Sequence, residues 1–409
     1  MRSVLAAALL VSLGLAGCLA DDDDAGSDSA IGGDGLPELP IYPLPEAISG
    51  LEFILNGNEE AADGIWLHEG KAYLSGPAGL RILDITDPAE PVLLAADIPD
   101  TASRDVDIME HPNGKLYAVL AGQGVVELVD VTVPERSEVV AKTTLCSHNI
   151  AVVPNSTVVY SSWSLCHATA PGMVSAGDIE IIDFADPENP TSMFWEFPPV
   201  AITEGGVPRP VTATSCHDVT FQADRQLAYC AGVTDTLIWD VSDPLAPEII
   251  QVIDWPGTNI HHAAWPARGG DLLVLGDEFA GVAAPSPPCS ETVRDPTSAL
   301  WFFDVSDMSM PTPVGYFQVE WEQLTDGDEP LGPWRYCSTH FGTMIEDRDA
   351  LVMGWYAAGT VIVDFSDPAN AQQVAHYHAP GTNTWESRYY NGHIYTGDTG
   401  RGMDILKII

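Results

Sequence analysis

The sequence predicts an all-β protein, a ring of four-stranded units, on three observations. First, one phrase recurs: "LRILDITDPAEP" (80–91), "VVELVDVTVPER" (125–136), "IEIIDFADPENP" (179–190), "TLIWDVSDPLAP" (236–247), "LWFFDVSDMSMP" (300–311) and "TVIVDFSDPANA" (360–371), with "GMDIL" (402–406) a truncated seventh copy. Second, each copy follows a strand–turn–strand pair, clearest in "HDVTFQADRQLAYCAG" (217–232). Third, the units return every ~40–50 residues, the period of the blades of a β-propeller, which bury their faces only against one another.

Each recurring phrase is an apolar, β-forming run closed by Asp-x-(Ser/Thr/Ala)-Asp-Pro or a near variant. Asp and Pro are turn formers, so these aspartates are read as shaping a hairpin rather than as a row of calcium ligands. Aligning the first strand of each unit gives entries at Asp63, Arg104, His148, His217, His261, His340 and Glu386, in steps of 41, 44, 69, 44, 79 and 46 residues. Four steps hold one blade each; the two long ones hold a blade plus insertions of roughly 25 and 35 residues. The seventh unit ends without an outer strand. "ISGLEFILNG" (48–57) has the matching alternation and no partner of its own. The expectation is a seven-bladed propeller of four-stranded blades, closed by an N-terminal strand that completes the last blade and removes an open sheet edge. Runs such as "TVIVD" resemble the LVIVD-repeat family of bacterial surface and secreted proteins. That resemblance covers nearly the whole body and implies the propeller fold; it is not informative about activity.

The first residues, "MRSVLAAALLVSLGLAGCLADDDD", join a basic start to an apolar run of twelve residues. Such a run is too short to span a bilayer and suits a signal peptide. Its end, Leu15-Ala16-Gly17-Cys18, resembles the lipobox of bacterial lipoproteins, which implies cleavage before Cys18 and lipidation of its thiol; an ordinary secretory cleavage site is the alternative. The organisation read from this is a lipoprotein signal peptide over 1–17, an acidic flexible tether over 18–46 and the propeller over 47–409. The tether is too polar and too rich in Gly and Pro to bury a core. Acidic residues just behind the lipidated Cys resemble surface-export signals, placing the protein in a bacterial cell envelope, on the outer membrane or cell surface.

The net charge of −43 over 409 residues argues against nucleic acid and against charge-driven contact with anionic lipid. The membrane is then touched through the N-terminal lipid alone. A monomer is expected.

Cys18 apart, six cysteines remain, an even number that fits an oxidising compartment. They lie on the face that carries the insertions 165–177, 201–215, 278–299 and 320–339. The expected pairs are Cys146–Cys166, Cys216–Cys230 and Cys289–Cys337. Zinc held by these cysteines is the rival reading, without a close CxxC pair to support it.

Four of the eleven histidines occupy entry positions. In a propeller these positions rim the mouth of the central channel. His148, His217, His261 and His340, with Asp63 and Glu386, offer imidazoles and carboxylates to one transition-metal ion: zinc, copper, iron or nickel. The competing reading is that these side chains cap inner strands and stitch neighbouring blades. Arg104 opposes a second cation unless it faces Asp63 or Glu386. His262 replaces His261 if the register is off by one. Trp163, His167, Asp277, Glu278 and Trp355 are further rim candidates; His111, His376, His378 and His393 are read as surface or turn residues. No phosphate loop, nucleophile elbow or HExxH motif is present. Three functions remain open. One is binding of a small-molecule or protein ligand on the insertion-bearing face; another is a metal-dependent oxidoreductase or hydrolase built on the histidines; the third is a purely structural envelope protein.

Overall fold

Each recurring phrase builds the third strand of an antiparallel quartet. The computed structural model describes residues 39–409 except 59, 100–101, 123–124, 144–146, 163–178, 199, 205–206, 212–215, 279–297, 320–336 and 346. Five separate four-stranded sheets have their strands in chain order: 65–98, 103–142, 149–195, 218–253 and 261–317. A sixth, eight-stranded sheet joins the quartet 341–377 to the strands Thr384–Tyr390, His393–Asp398 and Met403–Ile408. The link is a short parallel pairing of Phe341 with Glu386 and Gly342 with Ser387. The strand Leu51–Asn58 lies antiparallel to Met403–Ile408, with Leu51 opposite Ile408. Within the insertion 201–215 the structure forms a hairpin, Val200–Glu204 with Val207–Val211.

The Asp-rich turns behave as turn chemistry demands. Asp84, Asp183, Asp240, Asp304 and Asp364 each accept a hydrogen bond from the backbone N–H two residues on, at 2.8 to 3.0 Å. The second Asp of the phrase repeats the bond in Asp87, Asp243 and Asp367. These carboxylates are spent on their own loops.

The core lies between quartets. Trp265, Phe302, Trp355 and Phe365 pack together from the quartets 261–317 and 341–377. Ile65 and Leu74 of the first quartet share a cluster with Tyr395, Met403 and Ile405 near the other end of the chain. No quartet can bury its faces alone, which is why the units must repeat. Residues 40–45, read above as tether, lie against the body. The Tyr42 N–H donates to Asn391 Oδ1 at 2.9 Å, and Asn391 Nδ2 donates to the Pro40 carbonyl at 2.6 Å. Among the described residues no helix is long and apolar enough to cross a membrane.

Two histidines assigned to surface or turns are buried. His111 bonds the Phe184 carbonyl through Nε2 at 3.0 Å, and His393 starts a strand beneath Tyr42. Cys216 and Cys230 form a disulfide with Cα atoms 5.6 Å apart, tying the entry to an inner strand to the strand beside it. Cys337 is also disulfide-bonded. The pairings Cys146–Cys166 and Cys289–Cys337 involve cysteines outside the described residues, as do Cys18, Trp163 and His167.

Candidate metal centre at the channel mouth

The inner strands bring one tier of side chains together. His148 and His217 approach with their Nε2 atoms 3.0 Å apart. Ring centroids then follow at 4.2 Å from His217 to His262, 4.2 Å from His262 to His340 and 4.0 Å from His340 to Trp385. Arg104 continues the tier, its Cζ 5.8 Å from the Trp385 ring.

Two entries therefore differ from the register read by spacing. His261 is not in the tier. Its Nε2 donates to the Trp255 carbonyl at 3.2 Å and its Nδ1 meets Thr236 Oγ1 at 2.8 Å, so both nitrogens are engaged. The cause is a β-bulge between His261 and Ala263, which turns His262 inward instead. A second bulge, between Thr384 and Glu386, puts Trp385 in the tier and moves Glu386 one step along the channel. There Glu386 accepts from the Ile65 N–H at 2.8 Å and from Arg388 Nε at 2.6 Å. It stitches the strand Thr384–Tyr390 to the first quartet and is not grouped with the histidines. Asp63 is not grouped with them either; burial raises its carboxyl to about 6, against the pull of Arg104.

The carboxylate that does join is Glu278, the first residue of the long insertion and one of the further rim candidates. Ligand atoms of His217, His262 and Glu278 lie within 4.8 Å of one another, and all three residues are buried. Glu278 Oε2 is 3.4 Å from His262 Nε2, and its Oε1 is 3.9 Å from His340 Nε2. Tyr356 donates its hydroxyl to Glu278 Oε1 at 2.6 Å from a left-handed backbone position, φ 40°, which a bulky side chain rarely adopts. Asp277 instead anchors loops, accepting from the Asn259, Ile260 and Ser298 N–H groups. Trp355 belongs to the core between quartets.

The protonation states suit ligation. Burial drives His217, His262 and His340 well below the ordinary imidazole range, helped by neighbouring imidazoles, and His148 down to about 4. His340 Nδ1 lies 2.8 Å from the Trp385 carbonyl, which can only accept, so Nδ1 carries the proton and Nε2 keeps its lone pair. His262 is wholly buried, yet neither ring nitrogen makes a hydrogen bond. A buried imidazole without partners forgoes roughly 1–3 kcal/mol per polar group, and a metal ion removes that deficit. Ligands at ~2.0–2.2 Å from one ion stand roughly 3–3.5 Å apart, a small inward shift from the distances observed here.

One step below, the tier is acidic. Asp105 Oδ2 accepts from the Ile150 N–H at 2.9 Å and Asp107 Oδ2 from the Val152 N–H at 2.7 Å, each reaching the next quartet. The channel then opens into a cavity of about 760 Å³, lined by Trp66, Asp107, Phe221, Trp265, Met344 and Arg388 among others.

Fold and comparisons together define a β-propeller. The β-propeller domain of Cps50 (Swd1) from Myceliophteria thermophila matches at a TM-score of 0.57 with 12% identity, covering 89% of this chain and 100% of that one. At that identity the likeness speaks for the fold alone. Residues 60–96 match the model of the LVIVD repeat. A search of curated proteins finds no sequence relative.

Proposed function

We propose that this protein is an envelope-tethered, seven-bladed β-propeller that binds a small-molecule or protein ligand at a transition-metal centre in its channel mouth. His217, His262 and Glu278 hold the ion, with His148 and His340 beside them. The observation that carries the reading is His262, buried beside two potential co-ligands, His217 and Glu278, with neither ring nitrogen hydrogen-bonded. The donor set is imidazole and carboxylate without thiolate, which suits zinc, copper, iron or nickel. When bound, such an ion offers a Lewis-acidic position to an incoming oxygen or nitrogen donor.

Seven blades are counted from the five separate quartets and the two halves of the eight-stranded sheet. Leu51–Asn58 is the outer strand of the last blade. The pairing of Leu51 with Ile408 and the cluster shared by Ile65 and Met403 support that closure. The lipid anchor at Cys18 rests on the N-terminal sequence. A metal-dependent oxidoreductase or hydrolase is the second reading and uses the same centre.

Metal analysis of the tag-free mature protein tests the proposal. Close to one transition-metal ion per chain should survive dialysis. Protein that stays metal-free after incubation with each of the four ions, while folded, refutes it.

A further inference from the structure

Resting on that metal reading, we infer that the mouth binds an oxyanion, a carboxylate or phosphate group of the ligand, held between the ion and the guanidinium of Arg104. Arg104 is the one residue of the mouth tier with a fixed positive charge. It sits in a β-bulge between Ser103 and Asp105, the same device that turns His262 and Trp385 into the tier. Its side chain is exposed, and its guanidinium lies over the Trp385 ring.

Arg81, Arg268, Arg388 and Arg401 each form an ion pair with a carboxylate, and Arg225 and Arg348 donate to backbone carbonyls; Arg104 differs in lying over the Trp385 ring of the mouth tier. Arg104 forms no ion pair within 4 Å among the described residues, although Asp63 is near enough to feel its charge. In a chain of net charge −43, an arginine without such a pair at a mouth rimmed by ligating groups has a fork of donors to give. That fork matches the two oxygens of a carboxylate or phosphate, and the aromatic face beneath holds it flat. An anion also settles the conflict of placing a guanidinium near a dication, because it bridges the two positive charges.

The test uses the full mature chain loaded with zinc, zinc content being measured first on every sample. Benzoate and inorganic phosphate are titrated by calorimetry against wild type, Arg104→Ala and Arg104→Lys. The expected result is equal zinc in all three, with affinity for at least one anion falling at least tenfold in Arg104→Ala and less in Arg104→Lys. The better-bound probe tells carboxylate from phosphate. If zinc is retained and both anions bind wild type and Arg104→Ala equally, or neither binds wild type, this inference is overturned while the metal centre stands. If wild type holds no zinc, the metal reading fails and takes this inference with it. Because Arg104 is exposed, Arg104→Ala should melt as wild type does, so loss of anion binding cannot be ascribed to unfolding.

Discussion

Two neighbouring sets of side chains along the same inner strands use their polar groups in opposite ways. In the carboxylate tier Asp105, Asp107 and Glu386 bond the backbone of the following quartet. In the histidine tier neither ring nitrogen of His262 makes a hydrogen bond, and the Nε2 atoms of His217 and His148 meet each other. Stitching is what the carboxylate tier does, and the histidine tier holds the groups proposed above for ligation. The lesson is that a buried polar group tells its role by whether its partners are already present.

That comparison can be broken by exchanging what each tier loses. The largest effect is expected from His262→Ala, which should weaken zinc binding by about 1000-fold, roughly 4 kcal/mol, while His261→Ala leaves occupancy unchanged. Competition against a chelator of known affinity measures both. Equal losses in the two variants would return His261 to the site.

Glu386→Ala should do the reverse. It leaves the Ile65 N–H without its acceptor and Arg388 without its carboxylate, at about 3 kcal/mol of stability. Zinc affinity should stay within twofold. Urea unfolding with parallel metal analysis decides this, and a large fall in zinc affinity would merge the tiers.

The tiers also titrate with opposite sign in zinc-free protein. Burial holds His148 at about 4, below its ordinary 6.5. Acid therefore protonates the unfolded chain first, and stability present above pH 6.5 is lost as pH falls toward 4. Asp107 is pushed up to about 7 from 3.8, again by burial. Its contribution is present below pH 3.8 and lost as pH rises through 7. Asp107→Asn should thus gain on wild type as pH rises from 4 to 8, by up to about 4 kcal/mol. His148→Asn should lose less than wild type on acidification. Urea midpoints across that range check both, and parallel curves for wild type and variants would refute the assignment.

The smallest effect concerns aim. Tyr356→Phe removes the hydroxyl that orients Glu278, and zinc affinity should fall by about tenfold. An unchanged affinity in the same chelator competition would confine Tyr356 to packing.

Much of this architecture can be read from the residues alone. The Asp-rich phrase marks the third strand of six quartets because turn chemistry is local, and the placement of Cys216 and Cys230 at the same end of neighbouring antiparallel strands points to the bond between them. The site is harder to read for a definite reason. A bulge absorbs one residue without altering the spacing between units, so counting from His217 lands on His261 and counting from His340 lands on Glu386. The pair "HH" at 261–262 is the signal that the register is ambiguous there. Glu278 stands out only as a carboxylate beside an insertion. Its approach to the histidines depends on contacts across 62 residues to His340, which no local pattern encodes. His111 opens a turn and His393 follows one, yet both are buried, because a turn position does not itself determine depth.

The pairing of Leu51–Asn58 with Met403–Ile408 has a consequence in time. During synthesis the first of these strands waits for the second while some 345 residues are made. At ~5–20 residues per second that wait lasts tens of seconds. Throughout it Leu51–Asn58 has no register to settle into. A truncation that removed Met403–Ile408 would therefore leave Leu51–Asn58 unpaired as well, so one lesion would undo two strands some 345 residues apart.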